Sequence, residues 1–391
     1  MRRGNVGDQL NEPPATRLGI GLRLPFDPLL ALAAIGLMVI SVISLRTAGG
    51  DDSYAMRQGV FFAIGTLLAI VLSRLDYSRL RELKYGLYGL MMAGILLVAV
   101  FGGDTRGSRR AIQLPGFEVQ ASELGKVLLI AALAAFAVDR ARGLGERDTT
   151  ARLVLVAMVP AIFVMSSDLG SGLVYIVILF AVLFVVGVGW KHFAGLLSLG
   201  ALSVVFVLLA APMVGVTVLK PYQTDRLTSF LYPSDVAGTV GYQQHQSLVA
   251  IGAGGKTGRG KLATQGPLDF IPEQRTDFRF AAIAERWGFA GAGLVLSLYA
   301  LLIWRGLRIL TVSKNLYGAL IAGGIVAMLL FQVFINVGMN VGIMPITGIP
   351  LPLLSYGGSS VITTLLAIGL LQSVYAQGRA AAAAKGRGRS F

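Results

Sequence analysis

The chain has 391 residues, of which 55% are hydrophobic and 14% charged, whereas a soluble domain carries about 25% charged residues. This composition argues against a soluble globular protein and indicates a membrane protein made of apolar helices. The formal net charge of +14 fits attraction to anionic lipid, and no aromatic-plus-basic repeat or binding module points to nucleic acid.

Missing residue types narrow the chemistry further. The sequence has no cysteine, which excludes disulfides and thiolates, and its two histidines, His192 and His245, are far apart. A histidine-based zinc site is therefore not expected. The 50 glycines fit closely packed membrane helices, and the continuous apolar runs argue against the alternating strands of a β-barrel.

In chain order, the apolar runs predict an all-α integral membrane protein with ten transmembrane helices. The predicted spans are 27–46, 59–73, 85–101, 124–139, 153–166, 172–189, 194–215, 281–303, 317–342 and 358–376. Residues 1–26 are expected to form a basic N-terminal tail, with no removed signal peptide. Residues 27–376 form the membrane domain, and the alanine-rich basic tail 377–391 is expected to be disordered.

Lysines and arginines orient these spans, because short cytoplasmic loops are enriched in them. The basic short loops contain Arg74, Arg79, Arg81, Lys84, Arg140, Arg142, Arg147, Arg152, Lys191, Arg305, Arg308 and Lys314. Both termini are then cytoplasmic. A large loop between spans 7 and 8, residues 216–280, is extracytoplasmic, and its own cations need another explanation.

The first unusual patch on the outer side covers residues 102–126. Glu123 and Lys126 lie three residues apart at the start of the fourth span, so on a helix they share a face and can pair. Ionisable groups at membrane depth usually face the bundle interior or a wet cavity. A salt bridge at the helix start, with Ser122 as its cap, is the structural alternative.

A second patch, Ser166-Ser167-Asp168-Leu169-Gly170, lies between the fifth and sixth spans. Asp168 either caps the sixth helix or faces an interior site, and the residues leave both interpretations open.

The third patch is the large loop, which contains a glycine-rich run around Lys256 and ends at Arg275-Thr276-Asp277. Glycine lets backbone amides approach a phosphate closely, and lysine or arginine balances its charge. The lysine spacing is not that of a nucleotide-binding P-loop. For Asp277, a helix N-cap or a surface charge is the alternative to catalysis.

The fourth patch, residues 342–360, holds three prolines and several glycines and cannot form a regular span. Non-helical backbone near a membrane is tolerated where protein or a water-filled cavity satisfies it. The patch therefore predicts a re-entrant or cavity-lining segment, with Ser355 and Tyr356 as candidate substrate-binding residues.

Together the four patches resemble the SEDS family, the RodA, FtsW and SpoVE group of bacterial envelope proteins, over nearly the whole chain. Residues 350–360, Pro-Leu-Pro-Leu-Leu-Ser-Tyr-Gly-Gly-Ser-Ser, are the most specific match. The run from Tyr242 through Gly254-Gly255 to Thr276-Asp277-Phe278 also matches. Residues 347–352 look more like the elongation member RodA than the division member FtsW.

The resemblance implies a peptidoglycan glycosyltransferase of the cytoplasmic membrane that polymerises lipid II at the outer face during cell elongation. Its implied partners are a class B penicillin-binding protein and the elongation machinery. Asp277 takes the place of the family's essential aspartate, and Glu123 and Lys126 match its Gln-Pro-Ser-Glu-x-x-Lys motif. Arg109 matches the arginine of its Arg-Trp-Ile segment if residues 108–112 align without a gap.

The sequence departs from the family pattern at several positions, which leaves the substrate contacts less defined than the reaction. Ala111 stands where tryptophan is expected, Ala121 replaces proline, and Ser166-Ser167 precede Asp168 where Gln-Pro is usual. Arg279 interrupts the usual Thr-Asp-Phe-Ile-Phe, and Arg286 replaces a second glutamate after Glu285.

The implied mechanism is inverting transfer with Asp277 as general base. Arg109, Lys126, Lys256 and Arg275 are candidate ligands of the pyrophosphate. A divalent cation, Mg²⁺ or Mn²⁺, is an open alternative that no ligand pattern in the sequence supports. A lipid flippase, an FtsW-type division polymerase and a scaffold are the alternative functions. A flippase should show paired internal repeats and midplane polar groups, whereas the polar patches of this chain gather on one side.

Overall fold

The structure, a computed structural model, describes residues 26–46, 52–105, 108–114, 117–140, 147–207, 213, 220–231, 240–263 and 273–387. Within these ranges, nine helices are long and apolar enough to cross a membrane. This architecture confirms the predicted helical membrane protein.

The described helices run in chain order as follows. They are α1 Pro28–Arg46, α2 Asp52–Arg74, α3 Arg79–Glu82, α4 Lys84–Phe101, α5 Ala121–Asp139, α6 Arg147–Met165, α7 Leu169–Val186, α8 Trp190–Val205, α9 Pro221–Leu231, α10 Val240–Gly254, α11 Arg279–Val312, α12 Leu316–Asn340 and α13 Gly358–Arg387. Three short antiparallel strands lie between α4 and α5: β1 Gly103–Thr105, β2 Ser108–Leu114 and β3 Phe117–Val119.

Three features differ from the sequence prediction. The strands β1 to β3 fall in the first patch, so the fold is not wholly α-helical. The predicted seventh span, 194–215, overlaps the 16-residue helix α8 and then continues outside the described residues. The C-terminal tail is helical to Arg387, because its alanine-rich sequence favours helix; disorder was therefore the wrong expectation for 377–387, and 388–391 lie outside the described residues.

The centre of the bundle consists of α5, α12 and α13, whose spanning residues are mostly buried. Small residues permit the close packing: a Cβ added at Gly324 of α12 would lie 3.0 Å from Ile130 of α5. On α13, Gly369 faces the backbone of Ala69 in α2, and an added Cβ would lie 2.7 Å from the Ala69 carbonyl oxygen. Helices with less buried surface, such as α4, surround this core.

One end of the bundle is tied together by Asp27, which precedes α1. Its carboxylate forms an ion pair with Arg305 of α11 and accepts the Leu30 amide at 3.0 Å. Its own amide donates to Gln372 Oε1 of α13 at 2.7 Å. The start of α1 and the later part of α13 therefore lie at the same end of the bundle.

Helix α11 bends at Gly288, whose φ of 65° and ψ of −161° are not helical. Non-glycine residues essentially never adopt this pair of angles. A Cβ at Gly288 would overlap the Gly258 amide nitrogen and would lie 2.7 Å from the Lys256 carbonyl oxygen. The bend therefore lies where the backbone of the turn after α10 contacts the backbone of α11.

We expect Gly288→Ala to destabilise the protein by at least about 2 kcal/mol, since it combines a forbidden backbone conformation with a steric overlap. Gly293→Ala, five residues later on the same helix, is the matched control because an added Cβ there meets nothing within 4 Å. Thermal unfolding in detergent measures both variants. Equal melting temperatures for the two would contradict the account of the bend.

Candidate active site

The four patches meet at the end of the bundle opposite Asp27, around the non-helical segment 341–357 between α12 and α13. Gly342 and Gly348 have φ angles of 80° and 76°, and Leu353 is a buried non-glycine residue at φ 64°. Such strain persists only when surrounding contacts fix the backbone. The segment confirms the predicted interruption of helix, and its partners define the site.

The Asp277 turn is held by side chains from α12. Asn336 Nδ2 and Asn340 Nδ2 donate to the Asp277 carbonyl oxygen at 3.0 and 3.1 Å. Asn336 also donates to the Ile349 carbonyl at 2.8 Å, and Asn340 Oδ1 accepts the Ala281 amide at 3.0 Å. Both asparagines are buried. They fix the backbone that carries Asp277, whose side chain is partly exposed.

Residues just after the prolines hold the same turn from the other side. The Ser355 hydroxyl donates to the Thr276 carbonyl and accepts the Leu351 amide at 2.8 Å. The Tyr356 amide donates to the Arg275 carbonyl at 2.8 Å. Ser355 is thus engaged with backbone groups, and the structure places it as a support of the Asp277 turn.

Helix α11 begins at Arg279, and Phe278 occupies its N-cap position without a side-chain cap. Asp277 is therefore not the helix cap that the sequence left as an alternative. Asp277 lies one residue before the N-cap position and two residues after Arg275 in the chain.

Arg275 is oriented by an aromatic ring. Its guanidinium carbon lies 4.1 Å from the centre of the Tyr54 ring, a cation–π geometry. Tyr54 in turn packs edge-on against Tyr356, with ring centroids 5.2 Å apart. A cation is thereby positioned beside the Asp277 turn by α2 and by the non-helical segment.

Asp168 joins the first, second and fourth patches. It caps α7 by accepting the Ser171 amide at 3.3 Å, and it also accepts from Gln120 Nε2 at 3.3 Å. The Gln120 amide donates to Ser359 Oγ of α13 at 3.0 Å. Asp168 is therefore a helix cap and a buried link to Gln120, and its role in a substrate site stays a prediction.

Glu123 and Lys126 form the ion pair that their spacing predicted. Lys126 Nζ lies 2.6 Å from Glu123 Oε1, and both side chains are no more than 2% exposed, which makes this a buried pair. Gln120 occupies the N-cap position of α5 without a side-chain cap, so Ser122 is not the cap. Its carbonyl instead accepts the Tyr175 hydroxyl at 3.0 Å.

The glycine-rich run around Lys256 packs against α11. The Arg259 amide donates to the Glu285 carbonyl at 2.9 Å, and the Lys256 carbonyl accepts from Ala290 at 3.1 Å. The Gly258 amide is bonded to Gly254 at 2.8 Å. The Gly258 amide is therefore engaged with protein, and binding of phosphate by this run stays a prediction. The Lys256 side chain is exposed.

Arg109, a predicted substrate-binding residue, is described only in its backbone. The backbone of Arg109 belongs to β2 and is paired with Asp104 of β1, while its side chain lies outside what the structure describes.

Sequence reasoning missed Asn336 and Asn340, although an asparagine pair four residues apart in an apolar helix is a readable signal. Tyr54 had no such signal, because only the tertiary fold brings it to the site.

Comparison with known proteins gives consistent matches. The family described as cell cycle protein, FTSW_RODA_SPOVE, matches residues 23–380. Stage V sporulation protein E of Bacillus subtilis (strain 168) is 35% identical over 361 residues, covering 89% of this chain and 96% of that protein.

Two further similarities extend to a named activity and to a solved structure. Peptidoglycan glycosyltransferase MrdB of Escherichia coli (strain K12) is 33% identical over 357 residues, covering 90% of this chain and 94% of that protein. A solved chain from a peptidoglycan synthase complex that coordinates polymerization and crosslinking is 33% identical, with a TM-score of 0.75 over 91% of this chain and 99% of that one.

Asn340→Ala should destabilise the protein by about 1–3 kcal/mol, because it leaves the buried Ala281 amide without an acceptor. Gln332→Met, two turns earlier on α12, is the control: Gln332 is buried, and its Oε1 has no partner among the described residues. We expect that control to stay within about 0.5 kcal/mol. Urea or thermal unfolding in detergent compares the two, and a smaller loss for Asn340→Ala than for Gln332→Met would count against the proposed anchor.

Glu123→Gln should cost about 3–5 kcal/mol of stability, since it leaves the buried Lys126 ammonium without its counter-charge. The double variant Glu123→Gln with Lys126→Met removes both charges and should recover most of that loss. Unfolding of both single variants and the double variant completes the cycle. Additive losses would show that the two charges do not depend on each other.

Proposed function

Since the chain belongs to the FtsW/RodA/SpoVE family and is a peptidoglycan glycosyltransferase, as its relatives are named, we propose that it polymerises lipid II with Asp277 as general base. It is a multi-pass protein of the cytoplasmic membrane. The observation that carries the residue assignment is the fixed turn at Asp277, whose backbone is bonded to side chains of α12 and to the segment after it.

The proposed reaction joins the acceptor sugar to the donor with inversion. The acceptor 4-hydroxyl oxygen attacks the donor anomeric carbon, and the bond from that carbon to the pyrophosphate oxygen breaks with its electron pair. Asp277 receives the hydroxyl proton, a role worth about 10²–10⁴-fold in rate. One carboxylate suffices, because inversion needs no covalent intermediate.

The leaving group is already a pyrophosphate and needs cations more than an acid. Arg275 is the described candidate beside Asp277, and the Tyr54 ring fixes its guanidinium. Lys126 is neutralised by Glu123 inside the bundle, which makes it a support of the site in this proposal. Arg109 and Lys256 remain candidates. Among the described residues no three potential ligand side chains come together to hold a metal, so no step here uses one.

We place the active site at the outer face. The polar patches gather at one end of the helices, whereas Arg305 and Arg308 lie towards the Asp27 end, where the positive-inside rule expects cytoplasm. A class B penicillin-binding protein is the proposed partner, and the similarity to a chain of a peptidoglycan synthase complex supports it. The RodA-like residues 347–352 favour a role in elongation.

Asp277→Asn should reduce glycan polymerisation at least about 100-fold, because the amide cannot accept the proton. The measurement uses purified full-length protein with its partner in liposomes containing headgroup-labelled lipid II. Asp148→Asn is the control, because its carboxylate pairs with Arg152 on an exposed face of α6.

The same liposomes separate the competing functions. Wild-type polymer yield from Asp277→Asn would remove Asp277 from the base role. Movement of labelled lipid across the bilayer without polymer would identify a flippase.

A further inference from the structure

Arg279 is a buried cation with unused hydrogen-bonding capacity. It is fully buried, and its Nη2 donates to Ser44 Oγ of α1 at 2.6 Å. Its Nε and Nη1 have no partner among the described residues. Three N–H bonds of the guanidinium are therefore without an acceptor.

The charged neighbours of Arg279 add to this imbalance. Arg275 and Arg286 are close enough to act electrostatically on its guanidinium, and both carry the same sign of charge. In the part of the chain that the structure describes, no carboxylate forms an ion pair with it. An uncompensated buried cation is costly to a fold, and an anion bound beside Arg279 would offset that cost.

The surroundings indicate which anion. Arg279 lies two residues after Asp277, and Ser44 follows Ile43, which lines an apolar groove of about 610 Å³ between α1 and α2. The groove continues along these helices to Ile35 and Ile70. An anionic head beside Asp277 and an apolar chain along the groove are the two parts of a polyprenyl diphosphate.

We propose that Arg279 binds the diphosphate of the lipid-linked substrate, with Arg275 as a second cation and the polyprenyl chain in the α1–α2 groove; this rests on the function proposed above. Guanidinium groups suit phosphate oxygens because they offer several directed donors. Arg279 is enclosed in this ligand-free structure, so binding requires the end of α1 to move and Ser44 to share or release the guanidinium.

The test uses the full-length protein in phosphatidylcholine nanodiscs, titrated separately with undecaprenyl diphosphate, undecaprenol and phosphatidylglycerol. Arg279→Gln should weaken binding of the diphosphate lipid about tenfold or more and leave undecaprenol within about twofold. Arg279→Lys keeps the charge and should lose less. Arg308→Gln, an exposed arginine on the same helix, is the matched control and should bind like the unsubstituted chain.

Thermal unfolding distinguishes a ligand-binding role of Arg279 from a purely structural one. If the guanidinium of Arg279 is uncompensated until an anion binds, Arg279→Gln should raise the Tm of the ligand-free protein. The same variant should abolish the rise in Tm that the diphosphate lipid causes. Ser44→Ala should keep the diphosphate affinity within about threefold. A ligand-free Tm that falls in Arg279→Gln, including failure to fold, shows a purely structural role and overturns the proposal.

Binding results can also overturn it. Diphosphate affinity within twofold of the unsubstituted chain removes Arg279 from the site, and equal competition by phosphatidylglycerol replaces a diphosphate site with a general anionic-lipid site. A polymerisation assay runs in parallel. Arg279-dependent binding without any polymer would support this binding site and reject the proposed activity. Unchanged polymer and unchanged binding in Arg279→Gln would reject the binding site and support the activity.

Discussion

Backbone amides and carbonyls enclosed among membrane helices must find partners within the protein, and residues 341–357 leave the helical conformation where several helix ends converge. Asn336, Ser355 and Arg226 satisfy carbonyls or amides of this segment or of the turn beside it. Asn336 comes from α12 and Arg226 from α9, whereas Ser355 belongs to the segment itself. Satisfying this one interrupted segment therefore gathers the ends of otherwise separate helices into a common site.

The same need to pair backbone groups fixes the backbone of residues 275–277 at the candidate active site. The carbonyls of Arg275, Thr276 and Asp277 are each bonded to a group from α12 or from the segment that follows it. Their side chains remain directed by the turn, and Arg275 receives further orientation from Tyr54. The backbone that carries a carboxylate and a cation is thus fixed by contacts with α12 and with the segment after it.

Much of this architecture could be predicted from sequence, because a membrane span needs a long apolar run and the chain supplies such runs plainly. The ion pair of Glu123 and Lys126 followed from helical spacing. The short strands did not, since β2 forms only by pairing with β1 and β3, and no periodicity in the sequence marks that pairing. Glycine in the Lys256 run permits a close approach, but the sequence does not state what approaches; in the structure Gly258 lies against the backbone of Arg286.

The bend at Gly288 divides α11 into sections that face different physical demands. The section after it has 24 residues, about 36 Å at 1.5 Å per residue, enough to cross a bilayer alone. The section before it carries Arg279 and Glu285 and is fixed to the turn after α10. Bilayer thickness differs between membranes and selects helix length. Substitutions that adapt the later section to a thicker or thinner membrane can therefore accumulate without displacing the section that adjoins Asp277, so the two sections of one helix can evolve separately.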